Sequence, residues 1–225
     1  MIFVLAHRGA AQKVRENTIA AFEEARQAGA DGVELDVRAS ADGQLVVHHD
    51  PVLPSGEAIA ELPRTALPGW IPTLDEALDA CDGMLVNIEV KNVPIEAGYD
   101  PAGRLGVAAA AVAASRHMAD LAILSCFDLA TLDAARAAHP DIPTGWLTLG
   151  GYDQHQALDA VTRRGHPLLH PQDAGITPDL VEAAHAAGVR VVAWTINTSE
   201  RVRELESMGV DGLITDDVRL ARSVL

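Results

Sequence analysis

Two acidic side chains stand at alternate positions in a short β-rich segment. Glu34 and Asp36 lie in the run GVELDV, so an extended strand projects both carboxylates from one face. Two desolvated carboxylates side by side repel each other, and a bound cation relieves that cost. A later run, LVNIEVK, repeats the pattern and puts Glu89 and Lys91 on one face. Glu34, Asp36 and Glu89 are therefore candidate ligands of one divalent cation, Mg²⁺ or Ca²⁺, both of which take oxygen ligands.

The same acids have a structural alternative. Lys91 or Arg38 would neutralise them through salt bridges at the ends of the strands, with no ion involved. A cluster of perturbed carboxylates marks a functional site more often than not, so the spacing favours the cation. The salt-bridge interpretation stays open at this point.

Two histidines follow predicted strands and could add proton transfer to this chemistry. His7 and Arg8 come directly after the first β-rich run, and His49 follows the third. Imidazole exchanges protons near neutral pH, and a guanidinium grips an anionic oxygen through two donors. Either histidine alone is ordinary. Two of them, converging on carboxylates and an arginine, indicate acid–base chemistry on an anionic substrate.

The elements that would position these residues alternate along the chain. Short β-rich runs are separated by alanine-rich helical runs from one end to the other, which is typical of βαβ units and a parallel sheet. The predicted strands cover residues 2–7, 33–37, 44–48, 85–90, 121–125, 143–147, 167–170, 191–195 and 212–215.

Nine strands are one too many for an eight-stranded barrel. A parallel crossover needs a dozen or more residues, so the run 44–48 lies too close to 33–37 and must pair with it as an antiparallel hairpin. The other eight strands, each followed by a helical run, predict an α/β fold of the (β/α)₈ TIM-barrel type, with a short β-hairpin excursion after strand 2. We expect one domain over residues 1–225. The alternative, an open doubly wound sheet, lacks a glycine-rich loop after its first strand.

The hairpin carries a register prediction. The dipeptide DG at 42–43 is a favoured two-residue loop, and it would pair Asp36 with His49. Side chains alternate along a strand, so His49 is expected on the face of Glu34 and Asp36, whereas His48 is expected to point away.

Composition excludes several classes of protein. The 225 residues include 17 basic and 32 acidic side chains, a formal net charge of −15. A nucleic-acid binder or an electrostatically attached membrane protein normally carries a basic surface instead. The two cysteines form no CxxC pair, which argues against a zinc cage. The opening MIFVLAHRG has no basic leader region, so we expect a soluble, cytoplasmic protein with no stable membrane association.

Taken together, the motifs resemble the glycerophosphodiester phosphodiesterases. The combination of HRG, ExD and HD is specific, and matching segments extend over nearly the whole chain. They are HRG at 7–9, ENT at 16–18, ELD at 34–36, HHD at 48–50, IEVK at 88–91, SCFD at 125–128, AWTIN at 193–197 and DGLITDD at 211–217.

The resemblance implies a TIM-barrel enzyme that cleaves glycerophosphodiesters to glycerol 3-phosphate and an alcohol, with one Mg²⁺ or Ca²⁺ ion. We expect two-histidine acid–base catalysis through a cyclic glycerol phosphate. The matching positions are His7 and His49 for the catalytic histidines, Glu34, Asp36 and Glu89 for the metal ligands, and Arg8 and Lys91 for the phosphate-side basic residues.

Other residues near the predicted rim have weaker interpretations. Trp194, near the end of the eighth strand, is a candidate wall of the substrate pocket or a core residue. Asn197 and Asp216 are expected to cap loops, and Asn17 or Thr18 to cap a helix. The stretch 51–70 is shorter than the insertion that many family members carry there.

Three alternative functions remain at this stage. A lysophospholipase D type activity would share the catalytic residues but would need an apolar groove, which the short 51–70 stretch disfavours. A non-catalytic phosphodiester-binding barrel would not need both histidines. A metal-dependent aldolase or isomerase would use the carboxylates without paired histidines beside an arginine. The partner expected in each case is a small molecule, and the oligomeric state is not predicted.

Overall fold

The computed structural model describes residues 2–10, 12 and 14–225 of the chain. Within them, nine strands form one sheet, and the pairing of β1 with β2 closes eight parallel strands into a barrel. The predicted (β/α)₈ TIM barrel is therefore confirmed. The strands are β1 (Phe3–Ala6), β2 (Gly32–Ala39), β3 (Leu45–Val47), β4 (Leu85–Val90), β5 (Ala122–Cys126), β6 (Thr144–Thr148), β7 (Leu168–Pro171), β8 (Arg190–Ala193) and β9 (Gly212–Thr215).

Helices follow the barrel strands, and short polar side chains begin most of them. Thr18, Thr73, Asp128 and Asp153, for example, each accept a hydrogen bond from a backbone N–H of the first helical turn. The helices are α1 (Ile19–Gln27), α2 (Leu74–Ala80), α3 (Arg104–Ser115), α4 (Leu129–Ala138), α5 (Gln154–Arg164), α6 (Pro178–Ala186), α7 (Ser199–Met208) and α8 (Val218–Arg222). Among the described residues, no helix is both long and apolar enough to cross a membrane.

Alternation along the strands divides the core into two layers. The outward residues of β2, such as Val33 and Leu35, are fully buried in the large cluster between strands and helices. The inward residues include Leu5, Ile123 and Leu168, which belong to a smaller cluster inside the barrel. Burial of both faces explains why the parallel strands are rich in aliphatic residues, and why acids on an inward face need a specific partner.

The hairpin forms, but one residue out of the predicted register. Val37 pairs with Val47, not with the residue after it, so the predicted pairing of Asp36 with His49 is wrong. The loop has three residues rather than two: the Ser40 N–H donates to the carbonyl of Gln44, and the loop ends on Gly43 at a φ of 79°. A three-residue loop that ends on a left-handed glycine is a common hairpin solution for the same DG pair.

The strand β3 ends at Val47, and one further backbone bond to β2 follows it. The His48 N–H donates to the carbonyl of Asp36 at 2.9 Å. Because the regular alternation of side chains ends with the strand at Val47, the register of β3 does not decide where the His49 side chain points. This side chain reaches the acidic face even though the predicted pairing fails.

Gly32 offers a test of the close contact between barrel strands. A Cβ at this position would lie 2.0 Å from the carbonyl oxygen of Leu85, so Gly32→Ala must push β2 away from β4. We expect a loss of about 1–3 kcal/mol in the free energy of unfolding, measured by thermal or denaturant unfolding. Gly69→Ala is the matched control because a Cβ there meets no atom within 4 Å. Equal stability of the two variants would contradict this packing.

Candidate active site

Three carboxylates from two neighbouring strands meet at the carboxyl-terminal mouth of the barrel. In the parallel register of β2 and β4, Asp36 lies opposite Glu89, and Glu34 lies one step below on the same inward face. One oxygen from each carboxylate lies within 4.8 Å of the other two. Glu34 and Asp36 are 2% and 1% exposed. The structure thus brings together the three acids that the sequence predicts.

The electrostatics of the cluster fit a bound cation. Burial, reinforced by the neighbouring carboxylates, raises the pKa of Glu34 to about 8 and also raises that of Glu89. Glu34 Oε1 is buried, and no described residue offers it a hydrogen bond. A hard divalent ion would take this oxygen and relieve the repulsion, and three carboxylates are the donor set that Mg²⁺ and Ca²⁺ favour.

Salt bridges also form here, as the structural alternative predicts. Lys91 Nζ lies 2.7 Å from Glu89 Oε1 and 3.5 Å from Asp36 Oδ1, and Arg8 Nε lies 3.5 Å from Asp36 Oδ2. Burial of Asp36 acts to raise its pKa, but the charges of Lys91, His49 and Arg8 outweigh it and hold the pKa below its ordinary value. Asp36 therefore remains ionised. The two cations compensate Asp36 and Glu89 but leave the deeper acid without a fixed positive partner.

Arg38, the other candidate for neutralising the acids, forms its hydrogen bonds outside the carboxylate cluster. Its Nη1 donates to Glu96 at 2.8 Å, and its Nε donates to the carbonyl oxygen of His49 at 2.9 Å. Arg38 thus holds the chain that carries His49 instead of touching the carboxylate cluster.

The first loop places His7 and Arg8 beside the acids. The backbone N–H of Arg8 donates to Glu34 Oε2 at 2.8 Å, with Arg8 and Gly9 both at positive φ, 55° and 77°. A Cβ at Gly9 would lie 2.7 Å from the backbone of Ala21, so only glycine fits this turn. His7 Nε2 lies 4.0 Å from Glu34 Oε2. The tight turn therefore points the imidazole toward the carboxylate cluster.

A carboxylate anchors the far side of the His7 ring. Asp216, which follows β9, lies 2.6 Å from His7 Nδ1 through Oδ1. Asn197 donates from Nδ2 to Asp216 Oδ2 at 2.6 Å and accepts the backbone N–H of Asp216 at 2.9 Å. The sequence predicts only loop capping for both residues. Their position after the last two strands, at the rim that carries His7, is the signal that indicates their role beside this ring.

His49 stands on the other side of the cluster with an anchor of its own. Its Nδ1 lies 2.8 Å from Asp50 Oδ1, and its side chain is 31% exposed. Burial lowers the pKa of His49, with the charges of Lys91 and Arg8 acting in the same direction, and Asp36 only partly offsets them. Both predicted catalytic histidines thus bind a carboxylate through Nδ1, which leaves Nε2 for a reactant.

Glu16 and Asn17 hold two residues of the site in place, Arg8 and Asp36 respectively. The buried Asn17 amide donates to Asp36 Oδ2 at 2.7 Å, and Glu16 Oε1 accepts from Arg8 Nη1 at 3.1 Å. Thr18, not Asn17, is the residue that caps α1. The sequence suggested a cap for Asn17, since an ENT triplet before a helix gives no sign of a partner on β2.

Trp194 and His170 complete the inner wall of the mouth. The Trp194 indole N–H donates to the carbonyl of His170 at 2.8 Å, and its ring meets the ring of Phe127 edge-on with the centroids 5.6 Å apart. The His170 side chain is fully buried, and burial lowers its pKa to about 3, so this histidine is a neutral core residue. Trp194 is half-buried and packs against the apolar cluster inside the barrel.

The comparisons with known proteins agree with this geometry. Residues 7–220 match the model of the glycerophosphoryl diester phosphodiesterase family. The chain is similar to a glycerophosphodiester phosphodiesterase of Caldanaerobacter subterraneus, with 34% identity over 95% of this chain and 93% of that protein. It is also similar to the crystal structure of the glycerophosphodiester phosphodiesterase of Thermotoga maritima, with 29% identity, a TM-score of 0.84, and coverage of 100% of this chain and 99% of the other.

A further solved structure carries a ligand. It is an Oleispira antarctica phosphodiesterase in complex with the product sn-glycerol-3-phosphate. This protein is 27% identical to the present chain with a TM-score of 0.82, and the match covers 99% of this chain and 96% of the other. The family resemblance inferred from the motifs is therefore confirmed.

Cation binding should depend on pH through Glu34. With a pKa of about 8, this carboxyl holds a proton at pH 6 in the cation-free protein and releases it toward pH 8. A cation competes with that proton, so we expect Mg²⁺ or Ca²⁺ to raise Tm more at pH 8 than at pH 6. A site filled at one hundred times Kd contributes about 2.7 kcal/mol, roughly 5–10 °C. The measurement is thermal unfolding of chelator-treated protein with and without the ion.

Two variants control this measurement. Glu34→Gln has no proton to exchange and loses a ligand, so its shift should be small at both pH values. Glu206→Gln, on an exposed part of α7, makes the same change elsewhere and should behave as wild type. An equal Tm shift at pH 6 and pH 8 in the wild-type protein would contradict the assignment of Glu34.

Asp216 should control the protonation of His7. Burial acts to lower the pKa of His7, but the hydrogen bond to Asp216 and the charge of Glu34 outweigh it, and the pKa lies above its ordinary value. Asp216→Asn keeps the shape and removes the charge, so the His7 pKa should fall. An NMR titration of the imidazole protons in cation-free protein measures it, with the exposed Asp159→Asn as control. An unchanged His7 pKa would disprove the role of Asp216.

Proposed function

The chain belongs to the glycerophosphoryl diester phosphodiesterase family, and we propose that it hydrolyses glycerophosphodiesters to glycerol 3-phosphate and an alcohol by two-histidine catalysis with one divalent cation. The observation that carries this proposal is the carboxylate cluster between two anchored imidazoles at the barrel mouth. The product bound in the Oleispira antarctica phosphodiesterase supports the substrate class.

A phosphodiester is a stable anion, so its cleavage needs positive charge beside the phosphate, an activated nucleophile and a proton for the leaving alkoxide. Arg8 and Lys91 supply fixed positive charge. Lys91 is 8% exposed at its side chain and Arg8 21%, and both already lie beside the cluster. We assign them to the nonbridging oxygens of the phosphate, where little reorganisation would be needed as negative charge develops.

The cation would be held by Glu34, Asp36 and Glu89. When bound, it supplies Lewis-acid stabilisation of phosphate charge and lowers the pKa of a coordinated hydroxyl. Asn17 holds Asp36 in place by its amide hydrogen bond, and that bond fixes the orientation of one carboxylate before an ion arrives.

The two histidines move the protons. One takes the proton of the glycerol 2-hydroxyl while the hydroxyl oxygen attacks phosphorus, and the other gives a proton to the departing alkoxide. The product of this step is a cyclic glycerol phosphate and a free alcohol. Water then opens the ring with the two roles exchanged, which yields glycerol 3-phosphate and restores both histidines to their initial states.

The carboxylate bound to each imidazole ring decides which ring nitrogen exchanges protons with the substrate. Asp216 and Asp50 each bind an Nδ1 atom, so each carboxylate favours the tautomer with its proton on Nδ1 and stabilises the imidazolium that forms. The Nε2 atoms of His7 and His49 are left to exchange protons with the substrate. Trp194, half-buried at the inner wall, is the side chain we assign to the apolar edge of the glycerol.

Product analysis tests the proposed function. The protein is treated with EDTA, and Mg²⁺ or Ca²⁺ is added back in the presence of glycerophosphocholine, glycerophosphoglycerol and lysophosphatidylcholine. We expect glycerol 3-phosphate from the non-acylated diesters only when a cation is present. His7→Ala and His49→Ala should each lower the rate by about 10²–10⁴-fold, the usual contribution of acid–base groups.

His155→Ala is the matched control for these variants, because His155 is exposed on α5 and its change should leave the rate intact. Absence of glycerol 3-phosphate from every diester would overturn the proposed function. Near-normal turnover by both active-site histidine variants would overturn the catalytic assignment. Full activity after chelation would overturn the metal dependence.

A further inference from the structure

A cleft opens beside His49, and His7 is not among the residues that line it. Its volume is about 110 Å³, and its outer wall is formed by the excursion between β3 and α2 together with the first loop. Drug-sized ligands occupy pockets of roughly 300–1,000 Å³, so this cleft admits a small polar group but no acyl chain. The lining residues are Arg15, Glu16, Asn17, His48, His49, Asp50, Pro54 and Trp70.

An arginine already covers the aromatic face in this cleft. The guanidinium carbon of Arg15 lies 3.9 Å from the centroid of a Trp70 ring, and the ring of His48 packs against Trp70 with centroids 5.6 Å apart. A cation over an indole face is a favourable pair. The place where a quaternary ammonium would stack on Trp70 is therefore filled by a side chain of the protein itself.

The charges in the cleft are unevenly paired. Glu16 is bound to Arg8 at 3.1 Å and Asp50 to His49 at 2.8 Å, so both acids have partners that belong to the catalytic site. Arg15 forms no ion pair with any described residue. Its donors are exposed and are available to an oxygen-bearing ligand.

The position of the cleft suggests which part of the substrate enters it. In-line displacement at phosphorus puts the attacking and leaving oxygens on opposite sides. The attacking hydroxyl belongs to the glycerol, which we place toward Trp194 at the inner wall, so the leaving alcohol projects outward. His49 borders this cleft, so an alcohol that departs into it leaves beside one of the two histidines that exchange protons with the substrate.

Resting on the proposed function, we propose that the Arg15–Trp70 cleft is the subsite of the leaving alcohol and that it selects alcohols bearing hydroxyl or carboxylate groups over those bearing a trialkylammonium. Arg15 donates to the alcohol's oxygens, and its charge opposes a second cation. Trp70 fixes the guanidinium by stacking and also forms the apolar floor.

Four diesters with one common half measure this selectivity. They are glycerophosphoglycerol, glycerophosphoserine, glycerophosphocholine and the methyl ester of glycerol 3-phosphate, whose methanol is too small to fill the cleft. In the wild-type enzyme, kcat/KM should be higher for the glycerol diester than for the choline diester. Arg15→Ala should lower that ratio about five-fold, equal to roughly 1 kcal/mol for one charge interaction near water, and Arg15→Glu should lower it further.

A substitution of Trp70 distinguishes two effects of removing Arg15 on the choline diester, which are the loss of charge repulsion and the gain of a stacking surface. In Arg15→Ala the indole face is uncovered, so choline gains a stacking site and its kcat/KM should rise in absolute terms. The double variant Arg15→Ala with Trp70→Ala removes that site, and the gain for choline should disappear. Arg163→Ala, a change of an exposed arginine on α5, is the matched control and should leave all four values unchanged.

The methyl ester shows whether Arg15 acts on the alcohol or on the shared glycerol phosphate. Its kcat/KM should stay within two-fold of wild type in Arg15→Ala. Equal losses for all four diesters would place Arg15 at the common half and overturn the proposal, as would a ratio that does not respond to Arg15. Hydrolysis of none of the four by the wild-type enzyme would instead overturn the proposed function, and this inference with it.

Discussion

The repulsion among three carboxylates gathered at the barrel mouth, two of them buried, is the constraint on which the rest of the site depends. Two like charges 4 Å apart repel by roughly 4 kcal/mol at the effective dielectric constant near a protein surface. The barrel register brings Asp36 opposite Glu89 with Glu34 below, and their burial raises the pKa of Glu34 to about 8. Lys91 and Arg8 compensate part of this charge. The remaining negative charge suits the divalent cation that we propose at the mouth of the barrel, and that cation, with Arg8 and Lys91, would bind the anionic substrate.

Closure of the barrel turns distant segments into neighbours around that cluster. The carboxyl ends of parallel strands lie at one rim, so the loops after β1 and β9 meet when these strands pair. The His7 N–H donates to the carbonyl of Thr215 at 2.9 Å, which sets the spacing at which Asp216 reaches the His7 ring. Backbone pairing thus does the coarse positioning. Short carboxylate contacts then fix each imidazole.

Local periodicity explains why much of the site could be predicted from the sequence. A period of two assigns Glu34 and Asp36 to one face without knowledge of any other strand, and the same holds for Glu89 and Lys91. Parallel pairing then requires the two faces to meet. Their positions after predicted strands made His7 and His49 candidates, and the family resemblance of the HRG and HHD motifs implied catalytic roles for them; both lie beside the acids in the structure.

The errors arose where the outcome depended on contacts between segments or on one backbone angle. The pair DG suits both a two-residue and a three-residue hairpin loop, and Gly43 adopts the left-handed conformation that ends the longer one. Capping is predicted for Asp216 and for Asn17 or Thr18, because an acid, amide or hydroxyl beside a helix has that local use. Thr18 provides the helix cap. The partners of Asp216 and Asn17, which are His7 and Asp36, are brought to them only by the closed sheet.

The excursion after β3 joins the proposed catalytic residue His49 to the cleft of Arg15 and Trp70. The strand ends at Val47, so the register of β3 does not set the direction of the His49 side chain. Arg38 fixes the backbone of His49 by a hydrogen bond to its carbonyl oxygen. The same excursion then carries Trp70 back to the rim, where Arg15 of the first loop covers its ring. Under the proposed function, residues at the strand ends would hold the cation and the phosphate and would tolerate little change. Among the described residues, neither Arg15 nor Trp70 forms a hydrogen bond or an ion pair with the carboxylate cluster, so under our proposal alcohol selectivity could change at these two loop positions without disturbing it.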